Sequence, residues 1–347
     1  MSLDQFKKKF NKILKNYVSQ KINQAKKLID NPNINQFIQY IDTFIFSWGK
    51  RIRPYCMRAI YKWLGGKNEK AILNFWITFE LLHSMALIHD DIIDQAVKRH
   101  NTLTIHHYIN KLLKTPNLHV AEWQAILIWD LLLSRVYELQ HKKHDFPEKL
   151  LQKARQNVHN MIEEVTLWQM MDVYMMASWY TNPKMIDKKN MYKTASYTFI
   201  RPMLTWAILA NANTKQKKLI IDLGKNVWLS FQVRDDLFDI TFQDKTKHPF
   251  SDVQEWQQTY LTNYIYTRWT DKQKKLLESC MGKKLNKDQI LILQKMFNDS
   301  WAINFCKKLI KKYSENAQSI LGLIKFQDND CKQCIWALIN KIWNLDI

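Results

Sequence analysis

Apolar residues recur at three- and four-residue intervals along almost the whole chain, the period of amphipathic helices, while runs alternating at every second position are few. With 6 Gly and 7 Pro in 347 residues, the pattern predicts an all-α protein of long helices joined by short loops. No Pro/Gly/Ser-rich linker divides it, so one large domain over residues 1–347 is expected, and no repeat of solenoid period is present. The clearest break is 243–259, which reads as a polar loop. The first helix carries Phe6, Phe10, Ile13 and Leu14 on one face. That is the pattern of a packed helix, with at most peripheral membrane contact. No stretch reaches the ~18–20 apolar residues of a membrane span, and no signal peptide is seen at the start.

Two of the predicted helices carry the candidate chemistry. Asp90, Asp91 and Asp94 follow a strongly apolar run, and Asp235, Asp236 and Asp239 repeat the spacing in another. Carboxylates one turn apart repel each other, and more so where apolar neighbours strip their water. A bound cation offsets that cost in both places. No Cys/His set at zinc-ligand spacing lies near, whereas oxygen donors suit magnesium, which completes its shell with water and substrate phosphate oxygens. A phosphate ester held through metal is the expected ligand. At 100° per residue, His83, Asp90 and Asp94 fall within about 40° of one another and share a face. Gln232 lies one turn ahead of the second acids.

These motifs, with several others in order, resemble the trans-isoprenyl diphosphate synthases, or polyprenyl synthetases. Gly49-Lys50-Arg51-Ile52-Arg53-Pro54 is similar to the basic motif that grips isopentenyl diphosphate in that family. His83 stands where a further substrate contact is found, and Arg99 with His100 where the family has two arginines. Ala125-Ile126-Leu127-Ile128-Trp129-Asp130 and Gln169-x-x-Asp172 match two further blocks. Lys193-Thr194 matches the pair that contacts the allylic diphosphate, Phe231-Gln232 leads into the second acids, and Lys247 follows on the next loop.

The resemblance implies one helical bundle of the isoprenoid synthase type, with a central cavity lined by the two Asp-rich helices. It implies a magnesium-dependent prenyltransferase, with about three Mg2+ per active site, that joins isopentenyl diphosphate to an allylic diphosphate. Asp90, Asp91, Asp94, Asp235 and Asp239 would be metal ligands, with Asp236 in the same catalytic cluster. Lys50, Arg53, His83, Arg99, His100, Lys193, Thr194, Gln232 and Lys247 would contact substrate. Lys193 is expected to act as an electrostatic stabiliser, not as a base. The chemistry fits the side chains: Arg forks onto phosphate oxygens and Lys supplies a point charge. In this family the growing tail runs along the first Asp-bearing helix, so Met85 and Leu82 would face it. With Met85 in place of an aromatic near the acids and Phe79 deeper, a product of twenty carbons or more is expected. A homodimer is implied by the family only.

The chain also departs from the family. His100 replaces an arginine, and Trp256-Gln257 stands where glycine and lysine are usual, so two phosphate-binding cations are missing. A weakly active or regulatory subunit is one alternative. A terpene cyclase is another, disfavoured by the second Asp cluster and by Lys50 and Arg53. Trp outnumbers Gly by 14 to 6, and Trp48, Trp129, Trp168, Trp206, Trp228 and Trp256 occupy positions where the family has glycine. One hypothesis is that the source genome reads UGA as glycine while these codons were translated as tryptophan; the other is a tryptophan-rich protein with shrunken neighbours.

The net charge of +20 raises nucleic acid as a partner, but the lysines are dispersed on helix faces without aromatic-interleaved recognition motifs. An anionic substrate and a lysine-rich bias are the plainer account, and no nucleic-acid partner is expected. Five cysteines, an odd number, point to a reducing cytoplasm, and Cys331-x-x-Cys334 lacks a second pair and receives no function.

Overall fold

The computed structural model describes the chain except residues 1, 48, 50, 70, 100, 143, 179–181, 242–248, 326–331, 334, 335, 337–339 and 341–347, and except the side chains at 52, 53, 56, 178 and 183. The expected positions of Trp48, Lys50, His100 and Lys247, and the Arg53 side chain, therefore lie outside the described residues. The chain forms two compact units, one of residues 1–58 and 66–148 and the other of 59–65 and 149–347.

The first unit contains α1 (Leu3–Lys26), α2 (Pro32–Phe46), the start of α3 (Ile52–Trp63), α4 (Leu73–Ile93), α5 (Ile105–Leu113) and α6 (Leu118–His141). Its helix starts are written in the local sequence. Ser2 and Gln5 form a reciprocal capping box, Asn31 precedes Pro32, and Asn117 accepts from the His119 N–H. The apolar face of α1 packs inward: Phe6 and Phe10 meet the Trp76 ring edge-on, and Phe6, Phe10 and Leu14 are fully buried. The membrane alternative for this face is thereby replaced by internal packing.

Every residue from 75 to 85 in α4 is buried, as expected of a helix apolar on all sides. The helix stops where Gln95 turns left-handed at φ 51° and the Ala96 N–H reaches back to Asp91 O. A hairpin of β1 (Lys98–Arg99) and β2 (Thr102–Leu103) follows; Arg99 pairs with Thr102 in its register. These two-residue strands are the only sheet among the described residues.

The second unit contains α7 (Glu148–Ser178), α8 (Pro183–Lys189), an eleven-residue π-helix (Asn190–Ile200), α9 (Arg201–Leu209), α10 (Thr214–Thr241), α11 (Ser251–Gln254), α12 (Tyr260–Arg268), α13 (Asp271–Cys280), α14 (Lys287–Asp299) and α15 (Ala302–Gly322). The π stretch has a local cause. Pro202 has no N–H to give the Thr198 carbonyl and its ring crowds that oxygen, which favours the wider register just before it. The Arg201 N–H accordingly donates to Ser196 O, five residues back. Side chains reinforce the stretch: Arg201 and Ser196 both donate to Glu164 Oε2 on α7, at 3.0 and 2.7 Å, and Arg201 Nη1 donates to Asn157 Oδ1. Gly224 lets α10 approach this stretch, because a Cβ there would stand 2.7 Å from Ile200.

Candidate active site

Both acid clusters sit at helix C-termini. Asp90 and Asp91 occupy the last turn of α4, and Asp94 is its C-cap. The last turn holds no basic residue, so the carboxylates meet the negative end of the helix dipole unopposed from within the helix. Asp91 is 1% exposed, and Arg99, brought back by the hairpin, forks onto its Oδ1 through Nε at 2.8 Å and Nη2 at 2.7 Å. Burial raises the Asp91 pKa against the pull of Arg99. Its Oδ2 is buried with no hydrogen-bond partner among the described residues. A buried orphan oxygen beside two half-buried carboxylates fits a hard cation. His83, Phe79, Leu82 and Met85 are all buried on the same helix.

Sequence reasoning missed the anchor of the basic motif. Glu80 is the lone acid within the buried run of α4, and it pairs with Arg51 Nη1 with both side chains almost fully buried. Arg51 also donates from Nε to Asn11 Oδ1 at 2.9 Å and from Nη2 to Ile45 O at 3.0 Å. Its backbone is left-handed at φ 53°, and Gly49 at φ 118° lies under the guanidinium, where a Cβ would come within 2.8 Å of Nη1. Arg51 therefore ties the entry to α3 to the helix that carries the first acids. A glutamate inside an otherwise apolar helix was the signal in the sequence.

In the second unit, Asp235, Asp236 and Asp239 occupy the last two turns of α10, again with no basic residue in the last turn. Gln232 Nε2 donates to Asp236 Oδ1 at 2.9 Å, so the predicted substrate contact here orients an aspartate one turn on. Asp239 is 3% exposed and caps α11: its Oδ1 accepts from the Ser251 N–H at 2.9 Å and from Ser251 Oγ at 2.5 Å, and its Oδ2 accepts from the Asp252 N–H at 3.1 Å. The segment 243–259 is thus not loop throughout; residues 251–254 are helical and tied to the acids. Gln257 donates its N–H to Asp252 O. Among the described residues no three acidic or imidazole side chains are drawn together as a closed metal cage.

Lys193 and Thr194 lie on the π-helix, both partly exposed. Lys193 Nζ pairs with Asp172 Oδ2, and Lys189 Nζ stands 3.0 Å from Asp172 Oδ1. Burial alone would raise the pKa of Asp172, but the two ammonium groups hold it down to about 2. Gln169 precedes it by three residues on α7.

Among the five of these tryptophans that are described, Trp256 departs furthest from ordinary tryptophan geometry. Its backbone is left-handed at φ 61°, and its indole lies 3.0 Å from where a Cβ on Gly282 would be. Trp129, stacked on His89 at 4.3 Å, and Trp228, tilted on Phe231 at 4.9 Å, each bury an indole N–H with no acceptor among the described residues. Trp168 stacks on Tyr192, and fully buried Trp206 meets Tyr61 edge-on.

With this geometry in hand, comparison with known proteins gives a consistent result. The polyprenyl synthetase family model matches residues 33–298, and the chain belongs to that family. It is 26% identical to a geranylgeranyl diphosphate synthase of Sulfolobus acidocaldarius over 90% of this chain and 88% of the other. It is 29% identical to a short chain isoprenyl diphosphate synthase of Methanocaldococcus jannaschii over 71% of each. The fold is that of a geranylgeranyl pyrophosphate synthase from Corynebacterium glutamicum, solved with isoprenyl diphosphate and magnesium; the TM-score is 0.84 at 22% identity, over 97% of this chain and 98% of that one.

Proposed function

We propose that this chain, acting as one domain, is a magnesium-dependent prenyltransferase that extends an allylic diphosphate with isopentenyl diphosphate to a trans product of twenty carbons or more. The observation that carries this is the pair of helices, α4 and α10, each ending in three carboxylates at the negative pole of its dipole, in a chain of the polyprenyl synthetase family. Magnesium, three ions in this reading and held by Asp90, Asp91, Asp94, Asp235 and Asp239, supplies charge neutralisation of the leaving diphosphate. Asp239 would exchange at least one of its Ser251 and Asp252 contacts to serve as a ligand.

The chain's own residues do the rest by binding and orientation. Lys50 and Arg53 hold the diphosphate of isopentenyl diphosphate, and Arg51 anchors the entry to α3. Arg99 steadies Asp91, and Gln232 steadies Asp236. Lys193 and Thr194 face the allylic diphosphate, with His83, His100 and Lys247 as further contacts. The allylic C–O bond breaks, the isopentenyl double bond attacks the allylic carbon, and the proton lost from the new chain passes to the departing diphosphate. No side chain is assigned as base. Along α4 the 1.5 Å rise per residue puts Met85, Leu82 and Phe79 about 7, 12 and 16 Å below Asp90, a ladder for a growing tail. Release of pyrophosphate only when isopentenyl diphosphate, an allylic diphosphate and Mg2+ are all present supports the reading; no release under any allylic substrate defeats it.

The protein acts as a homodimer in the cytoplasm in this reading. Trp123, Ile126 and Leu127 form one exposed stripe on α6, and Leu167, Met170, Val173 and Tyr174 another on α7; Met170 is 64% exposed. Apolar stripes of this kind call for cover. No helix among the described residues is long and apolar enough to cross a membrane. The six tryptophans are glycines of a recoded UGA in this reading, supported by the left-handed Trp256 and by the orphan indole N–H groups of Trp129 and Trp228. Any other codon beneath them removes it.

A further inference from the structure

The charge balance around Asp172 involves a residue that sequence reasoning passed over. Lys189, the last residue of α8, is 7% exposed, and Asp172 on α7 is 2% exposed. A lysine is rarely buried this far unless its charge is met. Lys189 Nζ meets Asp172 Oδ1 at 3.0 Å and donates to Gln258 O at 2.9 Å, and Gln258 Nε2 in turn donates to Met175 O at 2.9 Å. The second oxygen of the same carboxylate accepts from Lys193, whose side chain is 22% exposed. Two ammonium groups thus share one carboxylate, and the three residues together carry +1. Lys189 is sealed in; Lys193 is the member that reaches solvent.

We propose that Lys189 is a positioning residue for the allylic diphosphate: by occupying one oxygen of Asp172 it keeps the cluster at +1, so that Lys193 presents net positive charge to an incoming diphosphate. This rests on the prenyltransferase reading above. Without Lys189, the cluster carries one unit of positive charge less and attracts the anion correspondingly less. A unit charge lost this close to the ligand in a poorly solvated place weakens binding about tenfold.

The test is a set of full-length variants read in two ways. With farnesyl diphosphate as allylic substrate, Lys189→Met raises its KM about tenfold and leaves the KM for isopentenyl diphosphate within twofold. Lys189→Arg keeps both. Lys189→Gln, which retains the hydrogen bond to Gln258 O without charge, behaves as Lys189→Met and serves if the latter does not fold. Adding Asp172→Asn to Lys189→Met returns the cluster to +1 and brings the farnesyl diphosphate KM back toward wild type, a recovery that a merely structural lysine would not show. Calorimetric Kd values for inorganic pyrophosphate follow the same order and do not require turnover. An unchanged allylic KM or pyrophosphate Kd, an equal rise in both KM values, or a double variant no better than the single one overturns the proposal. Pyrophosphate Kd values that follow this order across the variants, with a wild-type chain that makes no product, instead defeat the prenyltransferase reading alone.

Discussion

Replacing Glu80 by alanine removes one half of a buried ion pair and leaves the Arg51 guanidinium with Asn11 Oδ1 and Ile45 O but no counter-charge. The paired side chains are 2% and 5% exposed, so solvent screening offers little relief. Breaking such a pair costs about 3–5 kcal/mol. For 347 residues unfolding together, an unfolding entropy of about 2 cal/mol/K per residue turns this into a fall in Tm of about 4–7 °C. Glu80→Gln, which keeps an acceptor, falls by about half as much, and the double change Arg51→Met with Glu80→Leu recovers most of the loss because neither charge remains buried. Thermal melts followed by circular dichroism measure all three. Since Arg51 also fixes the entry to α3, where Arg53 stands, the single variants that fold show a raised KM for isopentenyl diphosphate. A melt within 1 °C of wild type for Glu80→Ala, or a double variant less stable than either single one, refutes the clamp.

In the proposed reading, where the tail grows along α4, Met85→Ala lengthens the dominant product by at least one five-carbon unit, read by chromatography of the dephosphorylated prenols, and unchanged length removes Met85 from the chain-length role. Asp172 titrates in the fold at about 2, below its ordinary 3.8, so its stabilisation is present above about pH 4 and is lost as pH falls toward 2. Urea denaturation from pH 5 to 2.5 shows that loss, about 2 kcal/mol for this group, in wild type and not in Asp172→Asn; identical pH slopes contradict the assignment. If the exposed stripe on α6 is the dimer seam, Leu127→Glu shifts the sedimenting species to monomer at micromolar concentration, and an unshifted dimer places the seam elsewhere.

The helical class and the acid clusters were legible because each leaves a local mark. Apolar spacing announces a helix, and Asp-Asp-x-x-Asp stands out twice in apolar sequence. What those side chains touch was less visible, since it depends on chain reversals. Arg99 reaches Asp91 through a hairpin, and Asp239 spends both oxygens on the start of α11 because residues 250–252 fold back over it. The same holds for Lys189 and Asp172, 17 residues apart on α7 and α8; nothing in the spacing of a lysine pair shows that one of them is sealed against a carboxylate. Glu80 did leave a mark, an acid in a run buried from 75 to 85, and that mark asks for a buried cation without naming Arg51. The π-helix follows from Pro202, but a proline in sequence equally marks an ordinary helix start.

The central claim is most directly tested by incubating the purified chain with labelled isopentenyl diphosphate, each allylic diphosphate in turn and Mg2+, and resolving the products by length. A ladder reaching twenty carbons or more, abolished by chelation and restored by added Mg2+, is the predicted result. A chain that binds both diphosphates yet forms no carbon–carbon bond with any of them contradicts it.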